Sequence, residues 1–469
     1  MEDSSSLSLS YLGLFVLFLY IIGDLIATRR TAHRQKDHPL VGSPSWWTPR
    51  FALNLLFATR AVKILQTGYY KFKDRTFQLI RGDGSVVILP LHLIDELSSL
   101  PQSVASSHGA LERDLLGRYT GLDIILTSRM HHTIVQRKLT PRLPALTPAL
   151  QDEVTLAVQE VFRTIVILRL FPEWAHPVLS RCLPSFWAGK RYLQRAKDIL
   201  GPRIDELIRR NDAGKWSPER TESDFNVLCW LVAAAKGSDR NAETLAHIEV
   251  LLALAAVHTT LLRMVNVLYD LVAHPALFDE LIEEIRDVAY HEDWNSGSYN
   301  ELHKLDSVLR ESQRLSPPTV LGLKRLFLQP HTFSSGLTVS AGTYVALPVM
   351  TIENDPLHTD KPEHFDGLRS YRRNEQKPAS LRSNPRIDQN FSTIEKTVLG
   401  FGYGKSACPG RYFASLVLKM VFVKLLTEYD FQFLPGRGRP KNYLVHEFLF
   451  PWPWDKIMVK RRENKDCPF

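Results

Sequence analysis

Apolar residues recur at helical spacing along most of this chain. Leu91 to Leu100, Leu150 to Leu170, Tyr192 to Arg210, Glu243 to Ala273, Ala276 to Val288, Leu302 to Leu315 and Tyr412 to Tyr429 carry them three and four positions apart, the stripe a helix buries against a core. Strand-like stretches are fewer. Thr76 to Ile80 and Ser85 to Leu89 flank Gly82-Asp83-Gly84, which predicts a hairpin, and Leu337 to Val339 and Tyr344 to Leu347 predict short strands. From Tyr371 to Thr397 the periodicity gives way to Arg, Asn and Ser, so a long irregular loop is expected there. The pattern predicts a mainly α fold with a small β portion and no internal repeats.

The first apolar run is of another kind. Leu7 to Ile26 spans 20 residues, long enough to cross a bilayer. Glu2 and Asp3 precede it, and Arg29, Arg30, His33, Arg34 and Lys36 follow it, a bias that leaves the bulk of the chain in the cytosol. Those basic residues lie on the wrong side for a cleaved leader. The expected organisation is a membrane anchor over 1–27, a basic, proline-rich connector over 28–50 with Trp46 and Trp47 at the interface, and one large domain over 51–469.

With 469 residues, 44% of them hydrophobic, the chain can bury a large core. Cys182, Cys229, Cys408 and Cys467 show neither disulfide-framework nor paired metal-type spacing, which suits a reducing compartment. The net charge of +8 comes from scattered Lys and Arg without an aromatic-interleaved basic motif. No nucleic-acid partner is expected; anionic lipid and an acidic protein partner are.

One cysteine stands in a setting that chemistry can use. Phe401-Gly402-Tyr403-Gly404-Lys405-Ser406-Ala407-Cys408-Pro409-Gly410-Arg411 places Cys408 in a glycine-lined loop against the start of the last predicted helix. Pro409 suits a first helical turn, and the positive end of the helix dipole is expected to lower the thiol pKa. Gly404 and Gly410 let backbone approach a flat ligand, and Phe401 can shield the sulfur. Gly404-Lys405-Ser406 also looks like the end of a phosphate loop, but Leu399 stands where the required glycine would be.

This segment resembles the haem-binding loop of the cytochromes P450 at Phe401, Gly404, Cys408, Pro409, Gly410 and Arg411. The resemblance implies the P450 fold, haem b as cofactor and Cys408 as the axial ligand of its iron. Ser406 departs from the family, which has Arg or His there for a haem propionate, so Lys405 or another segment must supply that contact. Glu311 and Arg314, three apart on one helix face, can pair bidentately. The resemblance makes them, with Arg369 in Pro362-Glu363-His364-Phe365-Asp366-Gly367-Leu368-Arg369, a structural triad that holds the irregular loop against the haem.

In Ala255-Ala256-Val257-His258-Thr259-Thr260, two alanines thin the long helix and a threonine hydroxyl can bond back to a carbonyl and bend it. Thr259 resembles the family residue that helps deliver protons for O–O cleavage. His258 takes the place of the usual acid and can relay protons from a pKa near neutrality. By register, His132 falls at the tryptophan and Gln136 at the arginine of a propionate-anchoring pair. Between His131/His132 and Thr259 the chain is shorter than the family fold by roughly 40 residues, about three average helices.

The whole resembles fungal microsomal P450 monooxygenases of secondary metabolism. It implies an endoplasmic-reticulum, single-pass enzyme with a cytosolic catalytic domain, fed by NADPH-cytochrome P450 reductase. The expected substrate is a small apolar metabolite of terpenoid, indole-diterpene or polyketide-like type. The expected pocket is lined by Leu252, Ala256, Val320, Leu321 and the 103–122 loop. A degenerate haem-binding relic and a P450-fold rearrangement enzyme are the alternatives at this point.

Overall fold

A computed structural model of the chain describes residues 22–23, 26, 38–43, 45, 48–81, 84–139, 164–171, 173–218, 226–291, 294–295, 297–376, 390–463 and 467–468. Almost all of the expected anchor, much of the connector, positions 150–163 of the helix expected over Leu150 to Leu170 and the middle of the 371–397 loop lie outside these residues.

The domain opens with a helix, Arg50–Lys71, directly after Pro49. Its stripe of Phe57, Ala61 and Leu65 is buried, and Gly68 lets it meet the first strand: a Cβ there would lie 2.4 Å from the Phe77 ring. The predicted hairpin forms as β1 (Phe77–Arg81) and β2 (Gly84–Ile88), with Phe77 opposite Ile88. Three further strands complete its sheet, namely β3 (Ala105–Ser106), β4 (Gly322–Phe327) and β7 (Tyr344–Leu347), in the order β1-β2-β7-β4-β3. Three two-stranded ribbons accompany it: β5 (His331–Thr332) with β6 (Thr338–Val339), β8 (Tyr429–Phe433) with β11 (Ile457–Arg461), and β9 (Tyr443–Val445) with β10 (Phe448–Phe450).

The rest is mainly helical. The long helix, Ala242–Ala273, starts where the Asn241 side chain accepts from Thr244 N–H at 2.8 Å, an N-cap that satisfies one of its unpaired donors. Its first half contributes Leu245, Ile248 and Leu251 to a core shared with Ile204, Leu207, Trp230 and Ile134. Its second half contributes Val267 and Leu271 to another core, with Leu281, Leu305, Leu309 and Phe422. One rod therefore ties both halves of the helical portion together. Among the described residues it is the one helix long and apolar enough to cross a bilayer, but buried Glu249, Arg263, Asn266 and Asp270 mark it as a core helix.

The predicted helices appear as Pro184–Asp212, which begins well ahead of the expected Tyr192, and as Ala276–His291, His303–Leu315 and Arg411–Glu428, with ends moved by a few residues. Helix Val227–Ala234, helix Arg50–Lys71 and strand β4 carry no prediction. The expected 103–122 loop is largely helical over Ser107–Leu115 and Gly117–Thr120, because Ser106 Oγ accepts from Gly109 N–H at 2.9 Å and caps the first of these. The start of the expected 371–397 loop is likewise a short helix, Arg369–Glu375.

A buried ionic cluster pins five distant segments. Arg81, Arg169 and Lys324 face Asp114 and Glu447, with Arg81 Nη2 3.0 Å and Lys324 Nζ 2.6 Å from Asp114, and Arg169 Nη2 3.0 Å and Lys324 Nζ 3.2 Å from Glu447. The surrounding cations hold the Glu447 carboxyl well below its usual range against the opposing effect of burial.

Candidate active site

Cys408 lies two residues ahead of the Gly410 N-cap of helix Arg411–Glu428, so Pro409 precedes the helix instead of opening it. The loop closes where Cys408 N–H donates to Phe401 O at 2.7 Å. The N–H groups of Gly410 and Arg411 donate to the sulfur, and with the Arg411 charge they favour the thiolate. Burial outweighs them and pushes the thiol pKa up, which corrects the expectation of a lowered value: desolvation depends on the surrounding mass, which a loop sequence does not show. The residue nonetheless keeps accessible surface.

Around it, Phe401 meets Phe391 edge-on at 4.9 Å between ring centroids. Gly404 has φ +63° and a Cβ there would come within 2.8 Å of Ser98, so close packing against helix Ile94–Ser99 already demands glycine. A Cβ on Gly410 would sit 4.0 Å from the sulfur. Arg411 folds back on the loop, donating to Cys408 O and to Tyr412 Oη, both at 3.0 Å.

Glu311, Arg314 and Arg369 meet. Arg314 Nη2 and Nε lie 2.6 and 3.0 Å from the two Glu311 oxygens, and Arg369 Nε is 3.2 Å from both. Arg314 also donates to Asn354 Oδ1 at 2.6 Å and to Pro362 O at 2.7 Å, and Arg369 to His364 O at 3.1 Å. The pairing of Arg314 with Glu311 is bidentate and buried, the geometry in which a guanidinium is most specific.

On the long helix, Thr259 Oγ1 donates to Ala255 O at 2.7 Å, one turn back. Thr259 and Ala255 are both exposed there, although the ends of the helix are core. His258 is half-buried beside Phe450, and desolvation lowers its pKa to about 4. Its imidazole is therefore neutral near pH 7, which corrects the expectation of a relay poised near neutrality. Leu252 and Ala256 keep accessible surface. Val320 and Leu321 do not: at 1% and 0% exposure they pack in the core under the sheet, and Val320 N–H donates to Glu447 O at 2.8 Å.

The histidine pair belongs to a larger cationic group. His131 stands edge-on to His108 at 6.0 Å, its Nδ1 is buried without a partner, and its pKa is lowered to about 4, by burial first and then by His108 and His132. His132 is half-buried and shifted down by burial and by Arg129, while Gln136 is exposed. Arg325 on β4 completes the group. It is 2% exposed, Nε and Nη2 have no partner, only Nη1 is satisfied by Lys324 O at 2.8 Å, and burial lowers its pKa to about 10. Its charge also depresses the His108 pKa, after the effects of burial, Arg129 and His132. A buried guanidinium with open donors is costly unless an anion meets it. A thiol met by backbone N–H groups, a buried guanidinium with two open nitrogens and an imidazole with one open nitrogen fit a metal macrocycle with carboxylate arms. The signal for Arg325 was a charged pair, Lys324-Arg325, inside an apolar strand.

The cytochrome P450 family model matches residues 149–460. Cytochrome P450 monooxygenase AN1598 of Emericella nidulans is 31% identical over 514 aligned residues, covering 98% of this chain and 93% of the relative. Cytochrome P450 monooxygenase olcJ of Penicillium canescens is also 31% identical, over 97% of this chain and 93% of its own length. An ent-kaurene oxidase of Gibberella intermedia is 28% identical, covering 91% and 89%. With such relatives along nearly its whole length, and with a cysteine just ahead of a helix, the chain belongs to the cytochrome P450 family.

Proposed function

We infer that the protein is a haem-thiolate monooxygenase that oxidises an apolar secondary metabolite, with Cys408 as the iron ligand. The family uses haem and electrons from an NADPH-dependent reductase. Bound at Cys408, haem supplies the activation of dioxygen and the insertion of one oxygen atom into a C–H bond. The observation that carries the reading is Cys408 itself, exposed ahead of its helix and with its sulfur met by two backbone N–H groups.

The residues of the chain divide the remaining work. Gly410 and Arg411 N–H orient the thiolate, and Phe401 keeps water from it. Arg325, His131, His132 and His108 receive the two haem carboxylates, taking over the contact that Ser406 cannot make. Thr259 holds its hydroxyl proton on Ala255 O and passes protons into the oxygen-binding space when that bond exchanges with water. His258, packed beside Phe450, is neutral and no store of charge. Glu311, Arg314 and Arg369 hold the chain from Pro362 to Arg369 in place against helix His303–Leu315. Leu252 and Ala256 line the substrate side.

A terpenoid substrate is supported by the similarity to enzymes named ent-kaurene oxidase. An anchor over 7–26, an endoplasmic-reticulum location and NADPH-cytochrome P450 reductase as electron donor follow from the charge bias and the family. A shortening of the chain is in keeping with an alignment of 514 positions with a relative, longer than the 469 residues here; its place between His132 and Thr259 rests on the register of the family motifs. The test is the carbon monoxide difference spectrum of the reduced, haem-loaded protein, followed by turnover of candidate diterpenes with reductase and NADPH. A thiolate-type band lost in Cys408→Ser is expected; a Soret band indifferent to that substitution refutes the reading.

A further inference from the structure

Glu353 ends the short helix Val349–Glu353 and is 4% exposed, yet no part in the chemistry has fallen to it. Its Oε1 accepts from Leu399 N–H, and Gly400 N–H also donates to the carboxyl. Three guanidinium groups act on it from two helices: Arg310 and Arg314 on His303–Leu315, and Arg263 on the long helix. Its neighbour Asn354 receives Arg314 Nη1 at 2.6 Å and returns a bond to Arg314 O at 3.2 Å. One dipeptide therefore faces the Glu311-Arg314 pair with one side chain and the approach to the cysteine loop with the other.

Two independent contacts clamp the same stretch. Arg310 Nη2 is 2.7 Å from Glu395 Oε1, and Gly400 lies so close over Gln313 that an added Cβ would fall 1.8 Å from its Nε2. Beyond Gly400 each link is one hydrogen bond: Gly402 N–H to Leu399 O at 2.8 Å, then Cys408 N–H to Phe401 O at 2.7 Å. Two backbone bonds thus link the stretch held by Glu353 to Cys408.

We propose that Glu353 is a positioning residue for Cys408, its carboxyl holding the Leu399 and Gly400 N–H groups so that the cysteine loop keeps one register against helix His303–Leu315. The inference rests on Cys408 being the haem ligand. A carboxyl group suits the place because two oxygens can take two adjacent N–H groups, whereas a glutamine presents one acceptor and one unwanted donor. Outer partners of this kind usually alter metal-site affinity by about 10- to 100-fold when removed.

The experiment compares wild type with Glu353→Gln, Glu353→Asp and Glu353→Ala, each loaded with haem. Three readouts are taken: the share of the carbon monoxide difference band that is thiolate-type, the rate of haem loss to an excess of apomyoglobin, and the denaturant midpoint of the apoprotein. Glu353→Gln is expected to raise the non-thiolate share and speed haem loss roughly tenfold, with Glu353→Asp in between. Glu353→Ala should be at least as severe as Glu353→Gln; an Ala variant that does not fold leaves the decision to Gln and Asp. A Gln variant whose apoprotein folds but takes up no haem supports the proposal as well. An unchanged band and unchanged haem loss in Glu353→Gln overturn it, whether or not the midpoint falls, since that is the result of a purely structural group. A wild type with no thiolate-type band refutes the haem-ligand reading instead, a separate outcome.

Discussion

Arg81 Nη1 donates to Glu447 Oε1 at 2.9 Å although the two residues are 366 positions apart in sequence. Both side chains are essentially buried, and Glu447 balances Arg169 and Lys324 at the same time. Removing one partner of such a group strands the other charges, so Glu447→Gln should destabilise the apoprotein by about 3–5 kcal/mol. A urea titration checks this. Replacing Glu447 should cost far more than replacing an exposed acid such as Glu363, whose pairing with His364 is open to solvent.

The pH response of stability separates into opposed contributions. His131 and His258 have pKa values near 4 in the fold, against 6.5 for a free imidazole, so the unfolded chain binds protons first as pH falls. Their contribution to stability is complete above 6.5 and is lost between 6.5 and 4. Glu249, Glu284 and Glu353 are raised to about 7 by burial, and their effect runs the other way: it is complete below 4.5 and is lost as pH rises toward 7. Glu447 is held low, so its contribution is complete above 4.5 and disappears only at more acid pH. The expected signature is therefore a difference. The gap in stability between wild type and a His131→Asn/His258→Asn variant should change only from pH 6.5 down to 4, and that of Glu447→Gln only below 4.5.

Arg325 offers a test that splits folding from cofactor binding. Replacing its partly unpaired guanidinium with methionine should stabilise the apoprotein by about 1–3 kcal/mol and accelerate haem loss by about 10- to 100-fold. Apoprotein melting and haem transfer to apomyoglobin measure the two. Loss of both together would make Arg325 a structural residue and not a carboxylate anchor.

Thr259→Ala should leave NADPH consumption running while product per NADPH falls on the order of tenfold or more, with hydrogen peroxide accumulating. Thr259→Ser keeps the hydroxyl that bonds to Ala255 O and should recover most of the coupling. Equal coupling in the Ala variant would remove the proton-delivery role.

What could be read from sequence was local. The cysteine loop, the hairpin around residues 82–84 and the long helix each declare themselves within a few turns of chain, and Glu311 and Arg314 share a helix. Residues whose meaning depends on distant partners stayed hidden: Arg325 looks like one more surface cation until β4 buries it, and Glu353 looks like a helix-end acid until Leu399 and Gly400 arrive. Cys408 and His258 were misjudged for the same reason. A helix dipole or an unperturbed imidazole can be read from sequence, but the desolvation that overrides them is the work of the whole fold. Val320 and Leu321 were assigned to a pocket because they follow the Glu311 helix, whereas the sheet claims them as core.

The position of Glu447 near the end of the chain also bears on how the protein is made. Arg81, Arg169 and Lys324 leave the ribosome long before it does, and until it emerges Asp114 faces all three without it. A nascent chain in that condition has reason to keep this region open and hydrated. A message truncated upstream of the β9–β10 turn would thus yield a product with the haem loop complete and the ionic cluster unable to close, a natural substrate for degradation.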